Sequence, residues 1–302
     1  MTDDELLRQP IVVVGAPRSG TTRLGQLISA HSTVCEVEEP RLTWRYGNDK
    51  KSDALRPEDA RPEVIAHIRQ RFAQQVRQAG KTRLLEKTPS NSVRIAFVLK
   101  VLPDARVIHI TRNGIDSSLS IRAFWQNTSH GTQQMMPGKW KSRLSEVKLR
   151  QVPYYSMELL RRMAPKPLSK AVGQNLWGPR IPGLRSMVKE LDLLEVAALQ
   201  WRSCAEAARS DGLRLAAENY HELKLEELDL TAFEEILRFA NLDPEPAVLE
   251  NFQSIINPKL ATGRRSSATE QDLTVLRKWI EPTMLWLGYQ WPCDSKEHSD
   301  QP

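Results

Sequence analysis

Ile11-Val12-Val13-Val14-Gly15-Ala16-Pro17-Arg18-Ser19-Gly20-Thr21-Thr22-Arg23-Leu24-Gly25-Gln26-Leu27-Ile28-Ser29 is the stretch that decides the fold. Four β-branched apolar residues stopped by a glycine read as a buried strand of a parallel sheet. Beyond the loop 15–22, Leu24, Leu27 and Ile28 fall on one face of a helix. A glycine-bounded turn between a strand end and a helix start aims several backbone N–H groups at one point. The helix dipole reinforces them, so the spot suits a phosphate-like anion. Arg18 and the hydroxyls of Ser19, Thr21 and Thr22 add donors. Gly15 and Gly20 have the separation of the nucleotide P-loop, G-x-x-x-x-G-K-[ST], but Thr21 stands where its lysine belongs and the cation has moved into the loop as Arg18. That counts against ordinary ATP hydrolysis.

Strand-then-helix units repeat outward from this stretch. Residues 34–41 read as a loop carrying Glu36, Glu38 and Glu39, with Pro40 keeping Glu39 off helical backbone. Residues 49–61, charged and holding Pro57, read as an exposed loop. A helix follows over 63–78, with Val64, Ile68, Phe72 and Val76 at a spacing of four. A short strand over 82–85 delivers Glu86-Lys87-Thr88-Pro89-Ser90-Asn91 to its end, and Ser90 or Asn91 caps a helix over 93–102. Residues 106–110 form a buried strand that ends in Thr111-Arg112-Asn113-Gly114, before a helix over 115–125. Residues 126–185, rich in proline, glycine and aromatic residues, break the rhythm and read as an insertion serving as acceptor site or lid. A long helix over 187–209, a last core strand over 213–217, helices over 231–240 (capped by Thr231) and 246–255, a basic loop over 259–267 and a helix over 270–287 complete the chain. The fold class is α/β: a P-loop NTPase-like three-layer fold, with a central parallel sheet and helices on both faces, as one domain over 1–302.

Composition bounds the function. The 302 residues carry a net charge of +6, suited to a polyanionic ligand, yet the basic residues are spread along the chain and no nucleic-acid motif is present. Three cysteines, Cys35, Cys204 and Cys293, form neither a CxxC pair nor a disulfide framework, and no spacing suggests a metal site. The acidic start lacks a signal peptide's pattern, and no apolar run nears the roughly 20 residues of a membrane span. A cytoplasmic location is expected.

The segment PRSGTT after a hydrophobic strand resembles the 5′-phosphosulfate loop of the sulfotransferases, which use 3′-phosphoadenosine 5′-phosphosulfate (PAPS). The resemblance implies that Pro17, Arg18, Ser19, Gly20, Thr21 and Thr22 hold the donor. In VIHITRNGIDSSLSI, Arg112 and Ser120, eight positions on, are similar to the family's pair for the 3′-phosphate; an arginine fork can bond two phosphate oxygens at once. The late loop residues Arg264, Arg265 and Ser266 stand where the family closes a basic loop over that phosphate, although they do not match the R-K-G of the steroid- and phenol-type enzymes. Glu39, in EEPR, resembles the base in the EETR segment of tyrosylprotein sulfotransferases, with Arg41 beside it and Pro40 departing from the pattern; Glu36, Glu38 and His109 are its competitors. Lys87, in EKTPSN, resembles their leaving-group lysine, and Tyr220, in NYHEL, resembles a tyrosine that bacterial enzymes place near the nucleotide. The resemblance thus implies sulfonyl transfer without a metal. The catalytic residues are Glu39, Lys87 and Arg18, and the acceptor is a carbohydrate, lipid or other small molecule, or a peptidyl tyrosine. Self-association, a nucleotide kinase or NTPase activity and a non-catalytic nucleotide-binding module stay open.

Overall fold

Ile11–Val14 (β1) is buried throughout because helices cover both of its faces. Val12 and Val14 join an apolar cluster on one side of the sheet, and Ile11 and Val13 join another on the opposite side. The computed structural model that establishes this describes residues 1–129, 177–215, 217–255 and 264–292. In chain order its helices and strands are α1 (Asp3–Leu6), β1, α2 (Thr21–Ser29), β2 (Val34–Glu38), α3 (Arg41–Arg45), α4 (Pro62–Gln78), β3 (Arg83–Lys87), α5 (Ile95–Val101), β4 (Arg106–Thr111) and α6 (Gly114–Ser129). Then come α7 (Leu184–Glu190), α8 (Leu193–Gly212), β5 (Tyr220–Lys224), α9 (Leu230–Phe239), α10 (Pro246–Ile255) and α11 (Glu270–Trp286).

Among the described residues five strands run parallel, in the order β2-β3-β1-β4-β5. Helices α2, α9 and α10 pack on one face through Leu24, Leu27, Ile28, Phe233, Ile236 and Phe252. Helices α4 and α5 pack on the other through Ile68, Phe72, Phe97 and Val98. A third cluster joins α6, α8 and α11 around Trp201, Cys204, Ile280 and Met284. This is the three-layer α/β fold of P-loop type. Its strand order changes direction at β1, so a crevice opens at the carboxyl ends of β1, β3 and β4, where open α/β sheets bind ligands.

Several local readings need correction. Residues 34–38 are the edge strand β2, not loop: Cys35 and Val37 alternate into the core between glutamates. Strand β3 extends to Lys87, so Glu86 and Lys87 lie within it. Ser90 and Asn91 do not cap the following helix; they sit in a 3₁₀ turn, Pro89–Val93, and bond elsewhere. The long helix expected over 187–209 is two helices, divided where Asp192 and Glu195 form a capping box. Residues 213–215 follow the end of α8, with Leu213 exposed, and the last strand among the described residues is β5. Asp229, not Thr231, caps α9, its carboxylate accepting from the Ala232 N–H. Of the expected insertion 126–185, residues 130–176 lie outside the described residues, as do Cys293 and 259–263 of the basic loop.

Candidate active site

The anion loop is held from below by β4 and from the side by the 3₁₀ turn. A Cβ at Gly15 would run into the Ile110 carbonyl oxygen, and the Gly15 N–H donates to Ser92 Oγ at 2.8 Å. Gly20 has φ 94°, and a Cβ there would meet Leu225 Cδ1 at 2.8 Å, so only glycine fits. Arg18 also lies in the left-handed region, at φ 69°, a conformation that costs a non-glycine residue of order 1 kcal/mol or more and clusters at functional sites. Helix α2 starts at Thr21 with no side-chain cap over its first turn. Ser19 is fully buried, and its hydroxyl meets no hydrogen-bond partner among the described residues. A loop with an uncapped helix start and a spare buried hydroxyl fits an anionic ligand.

Beside the loop, Lys87 is completely buried at the end of β3, yet its Nζ reaches outward to Thr22 Oγ1 at 3.0 Å and Glu39 Oε1 at 3.5 Å. Strand register explains the meeting. Glu38 pairs with Lys87 across the β2–β3 ladder, so Glu39 emerges one residue beyond the strand ends, with its N–H bonded to the Lys87 carbonyl at 3.0 Å. Glu39 is another non-glycine residue with positive φ, 48°, and Arg41 Nη2 holds its Oε2 at 2.7 Å. Burial alone would push the Glu39 carboxyl up; the charges of Arg41 and Lys87 and their hydrogen bonds outweigh it and hold the group below the ordinary carboxylate value.

Across the crevice the loop meets the start of α6. Arg18 Nε donates to Ser120 Oγ at 3.1 Å, and Arg112 Nη1 donates to the Arg18 carbonyl at 3.2 Å. The Arg18 guanidinium also lies 5.6 Å from the Phe124 ring centroid. Its pKa is lowered by partial burial and then by the like charges of Arg112 and Arg264. Among the described residues no carboxylate pairs with Arg18. Backbone bonds fix Arg112: Trp201 Nε1 donates to its carbonyl, and the next residue, Asn113, donates its N–H to Glu226 and caps α6 through the Ile115 N–H. The late basic loop is fixed by Asp116, which is fully buried. Its Oδ1 accepts from the N–H groups of Arg264 and Arg265, at 3.0 and 2.7 Å, and its Oδ2 pairs with Arg265 Nε at 2.8 Å. Three arginines from distant parts of the chain thus converge.

The structure brings Arg18 to Ser120 and Arg112, Glu39 to Lys87, and Lys87 to Thr22. Pro17 is buried under the loop, and Ser266 is exposed in a 3₁₀ turn next to Arg265. Tyr220 is not brought to the arginines: it pairs with Val107, four residues before the end of β4, and its hydroxyl lies 2.8 Å from His109 Nδ1 and 2.9 Å from Glu222 Oε2. His109 is fully buried, and its Nδ1 faces Tyr220 Oη and Glu222 Oε2. Sequence reading missed Asp116 and Ser92. Asp116 had one signal, an acid in the first turn of the helix that follows Arg112; Ser92 had none. Among the described residues no group of three His, Cys, Asp or Glu side chains is arranged for a metal ion, and no helix is long and apolar enough to cross a membrane.

Comparison with known proteins places these features in context. The profile of the sulfotransferase family matches residues 10–166, just over half of the chain. The fold is similar to a sulfotransferase domain from the curacin biosynthetic pathway, at 14% identity over 94% of this chain and 100% of that one, with a TM-score of 0.58. It is also similar to the sulfotransferase domain of the Synechococcus PCC 7002 olefin synthase, at 16% identity, 94% and 97% coverage and a TM-score of 0.52. Sulfotransferase STF9 from Mycobacterium avium aligns at 14% identity, 94% and 78% coverage and a TM-score of 0.51. At such identities the likeness is one of fold. An uncharacterized protein of Aquifex aeolicus (strain VF5) is 29% identical over 141 residues, 41% of this chain; the match spans 18% of that curated relative.

Proposed function

The chain belongs to the sulfotransferase family, and from that premise we propose that it transfers a sulfonyl group from PAPS to a hydroxyl or amine of an acceptor. The observation that carries the reading is the meeting of Lys87 with both Glu39 and Thr22, which puts a carboxylate and a buried cation at the lip of the anion loop. Donor binding falls to two clamps. Gly20, Ser19, Thr21 and Thr22, with the first turn of α2, hold the 5′-phosphosulfate. Arg112 and Ser120, with Arg264 and Arg265 above them, hold the 3′-phosphate. Arg18 stands between the two and neutralises charge at either end. Tyr220, bonded to His109 and Glu222, has no donor contact in this scheme.

Transfer is in-line displacement at sulfur. The acceptor oxygen or nitrogen forms a bond to sulfur as the bond from sulfur to the 5′-phosphate oxygen breaks, and adenosine 3′,5′-bisphosphate leaves with that electron pair. Glu39 accepts the acceptor's proton. Its lowered pKa keeps it ionised near neutral pH, ready to act as base, and binding of the donor draws Lys87 toward the leaving oxygen, which raises the basicity of Glu39 at the moment it is needed. As acceptor, a carbohydrate, lipid or other small hydroxyl compound comes first, and a peptidyl tyrosine after it.

The test is transfer of labelled sulfate from PAPS to a panel of hydroxyl acceptors, with Glu39→Gln and Lys87→Ala beside the unsubstituted chain. Transfer that both variants lose supports the reading. PAPS binding without transfer to any acceptor would identify a binding module, and ATP·Mg binding in preference to PAPS would identify a nucleotide kinase or NTPase.

A further inference from the structure

Residues 49–61 carry a buried group that the proposed chemistry does not use. Asp53 is 0% exposed. Taking a carboxylate out of water costs several kcal/mol unless it is paired and hydrogen-bonded, and Asp53 is met from three separate parts of the chain. Arg45, at the end of α3 and six residues past Glu39, donates from Nε to Oδ1 at 3.0 Å and from Nη2 to Oδ2 at 3.1 Å. Ser90, in the 3₁₀ turn three residues past Lys87, donates to Oδ2 at 2.9 Å. Arg180 donates its N–H to Oδ2 at 2.8 Å, and its carbonyl accepts from the Asp53 N–H at 2.8 Å. The charges of Arg45, Arg94 and Arg180 overcome the effect of burial and hold the carboxyl well below its ordinary value.

The segment bound to Asp53 is also held from behind. Gln200, fully buried in α8, donates Nε2 to the carbonyls of Trp177, at 2.8 Å, and Pro179, at 3.2 Å, while its Oε1 accepts from Trp125. So fastened, residues 177–180 set the Trp177 ring 4.4 Å from Phe124, the ring that lies against Arg18. The 3₁₀ turn that supplies Ser90 also supplies Ser92, which accepts the Gly15 N–H of the anion loop. One carboxylate therefore joins the helix after Glu39, the turn after Lys87 and the strap that carries Trp177.

We propose that Asp53 is a positioning residue for the transfer reaction. It keeps base, lysine and the Trp177–Phe124 wall in one frame, so that an acceptor resting on that wall meets the donor in line. The inference rests on the donor reading above and adds to it a determinant of the acceptor side. A buried ion pair is a weak source of stability, and its best-attested use is to select one arrangement among several. Misplacing reacting groups by about 1 Å can cost on the order of 10²-fold in rate.

The experiment uses the full chain with Asp53→Asn, and with the double variant Asp53→Asn/Arg180→Gln, which removes one charge of each sign and protects folding. PAPS affinity is measured by calorimetry, kcat and acceptor KM by labelled transfer to the acceptor panel, and amide hydrogen exchange over peptides spanning 49–56 and 177–184. The expected result is PAPS affinity within about threefold of the unsubstituted chain, kcat lower by roughly 10²-fold and faster exchange confined to those two peptides. Faster exchange throughout the chain, or a released strap with kcat unchanged, overturns the positioning role. An unsubstituted chain that takes up no PAPS overturns the donor reading and this role together, a result distinct from either of those.

Discussion

Two charge clusters, one sealed around Asp53 and one open around Arg18, behave in opposite ways. Around Asp53 three arginines, a serine and a backbone N–H converge on one carboxylate that is sealed from solvent. Around Arg18 the cations converge on one another: partial burial and then the charges of Arg112 and Arg264 depress its pKa, and its side chain meets a hydroxyl and an aromatic ring. In the first cluster the carboxylate accepts from Arg45, Ser90 and Arg180 within the fold. The second gathers like charges at the mouth of a crevice, an arrangement that an incoming polyanion stabilises. A buried cation with its carboxylate belongs to the architecture, and cations gathered around an opening belong to recognition. Lys87 and Glu39 lie between these extremes, paired at 3.5 Å but at the open edge, where a ligand can part them.

The largest effect that sharpens this contrast is expected at Lys87. Lys87→Ala should lower single-turnover transfer by about 10²- to 10³-fold with a far smaller change in PAPS affinity; a loss confined to affinity would move Lys87 into the recognition cluster. Next comes Asp116, which holds the late basic loop of the proposed donor site. Asp116→Ala should weaken PAPS binding about tenfold, since it releases two backbone N–H groups and the Arg265 ion pair, and unchanged binding in calorimetry would remove the late basic loop from the donor site. The pH profile tests the middle pair. Arg41 and Lys87 hold Glu39 below its ordinary value, so kcat/KM should be flat near neutrality and fall only on the acid side, as Glu39 takes up a proton. Arg41→Ala removes one of the two cations and should move that acid limb to higher pH; an unmoved limb would assign it to another group.

The smallest effect concerns stability. Burial pushes the Glu86 carboxyl up to about 7, against hydrogen bonds from Trp44 and Asn91 and the charge of Arg94. A raised native pKa means that the folded state keeps a proton the unfolded chain releases. This contribution is complete below the unfolded value of roughly 4.3 and is lost as pH rises through about 7. Thermal unfolding should therefore shift down as pH rises from roughly 4.3 to about 7, and Glu86→Gln should flatten that slope. Asp53, held low, acts in the opposite sense: its contribution is present above the ordinary aspartate value and is lost only in strong acid. The two carboxylates can thus be read separately in one titration.

The recognition cluster was legible in the sequence because its chemistry is local. PRSGTT follows its strand directly, and Arg112 and Ser120 are two helical turns apart; the meeting of Glu39 with Lys87 was not legible, because 34–38 read as loop and only the β2–β3 register makes them neighbours. The sealed cluster was not legible. Asp53 and Arg180 are 127 positions apart, and a charged stretch with Pro57 looks like solvent-facing loop until its distant partners are known. Strand β5 was misplaced for a related reason. Tyr-His-Glu-Leu-Lys is a largely polar edge strand with one buried residue, Leu223, whereas Leu213 and Leu215 before it gave a stronger apolar signal but only follow the end of α8. The break between α7 and α8 did have a local mark, Asp192-Leu-Leu-Glu195, which is a capping-box pattern inside an otherwise continuous apolar periodicity.

The account stands on two anion clamps gripping one doubly phosphorylated donor, and the contact of Arg112 with the Arg18 carbonyl brings those clamps within reach of a single ligand. Calorimetric titration of PAPS and of adenosine 5′-phosphosulfate, which has no 3′-phosphate, against the chain and its Arg112→Ala variant tests this most directly. The account predicts that the variant loses about 2 kcal/mol of PAPS affinity, roughly 30-fold, and binds adenosine 5′-phosphosulfate nearly as the unsubstituted chain does. Equal losses for both ligands would contradict it.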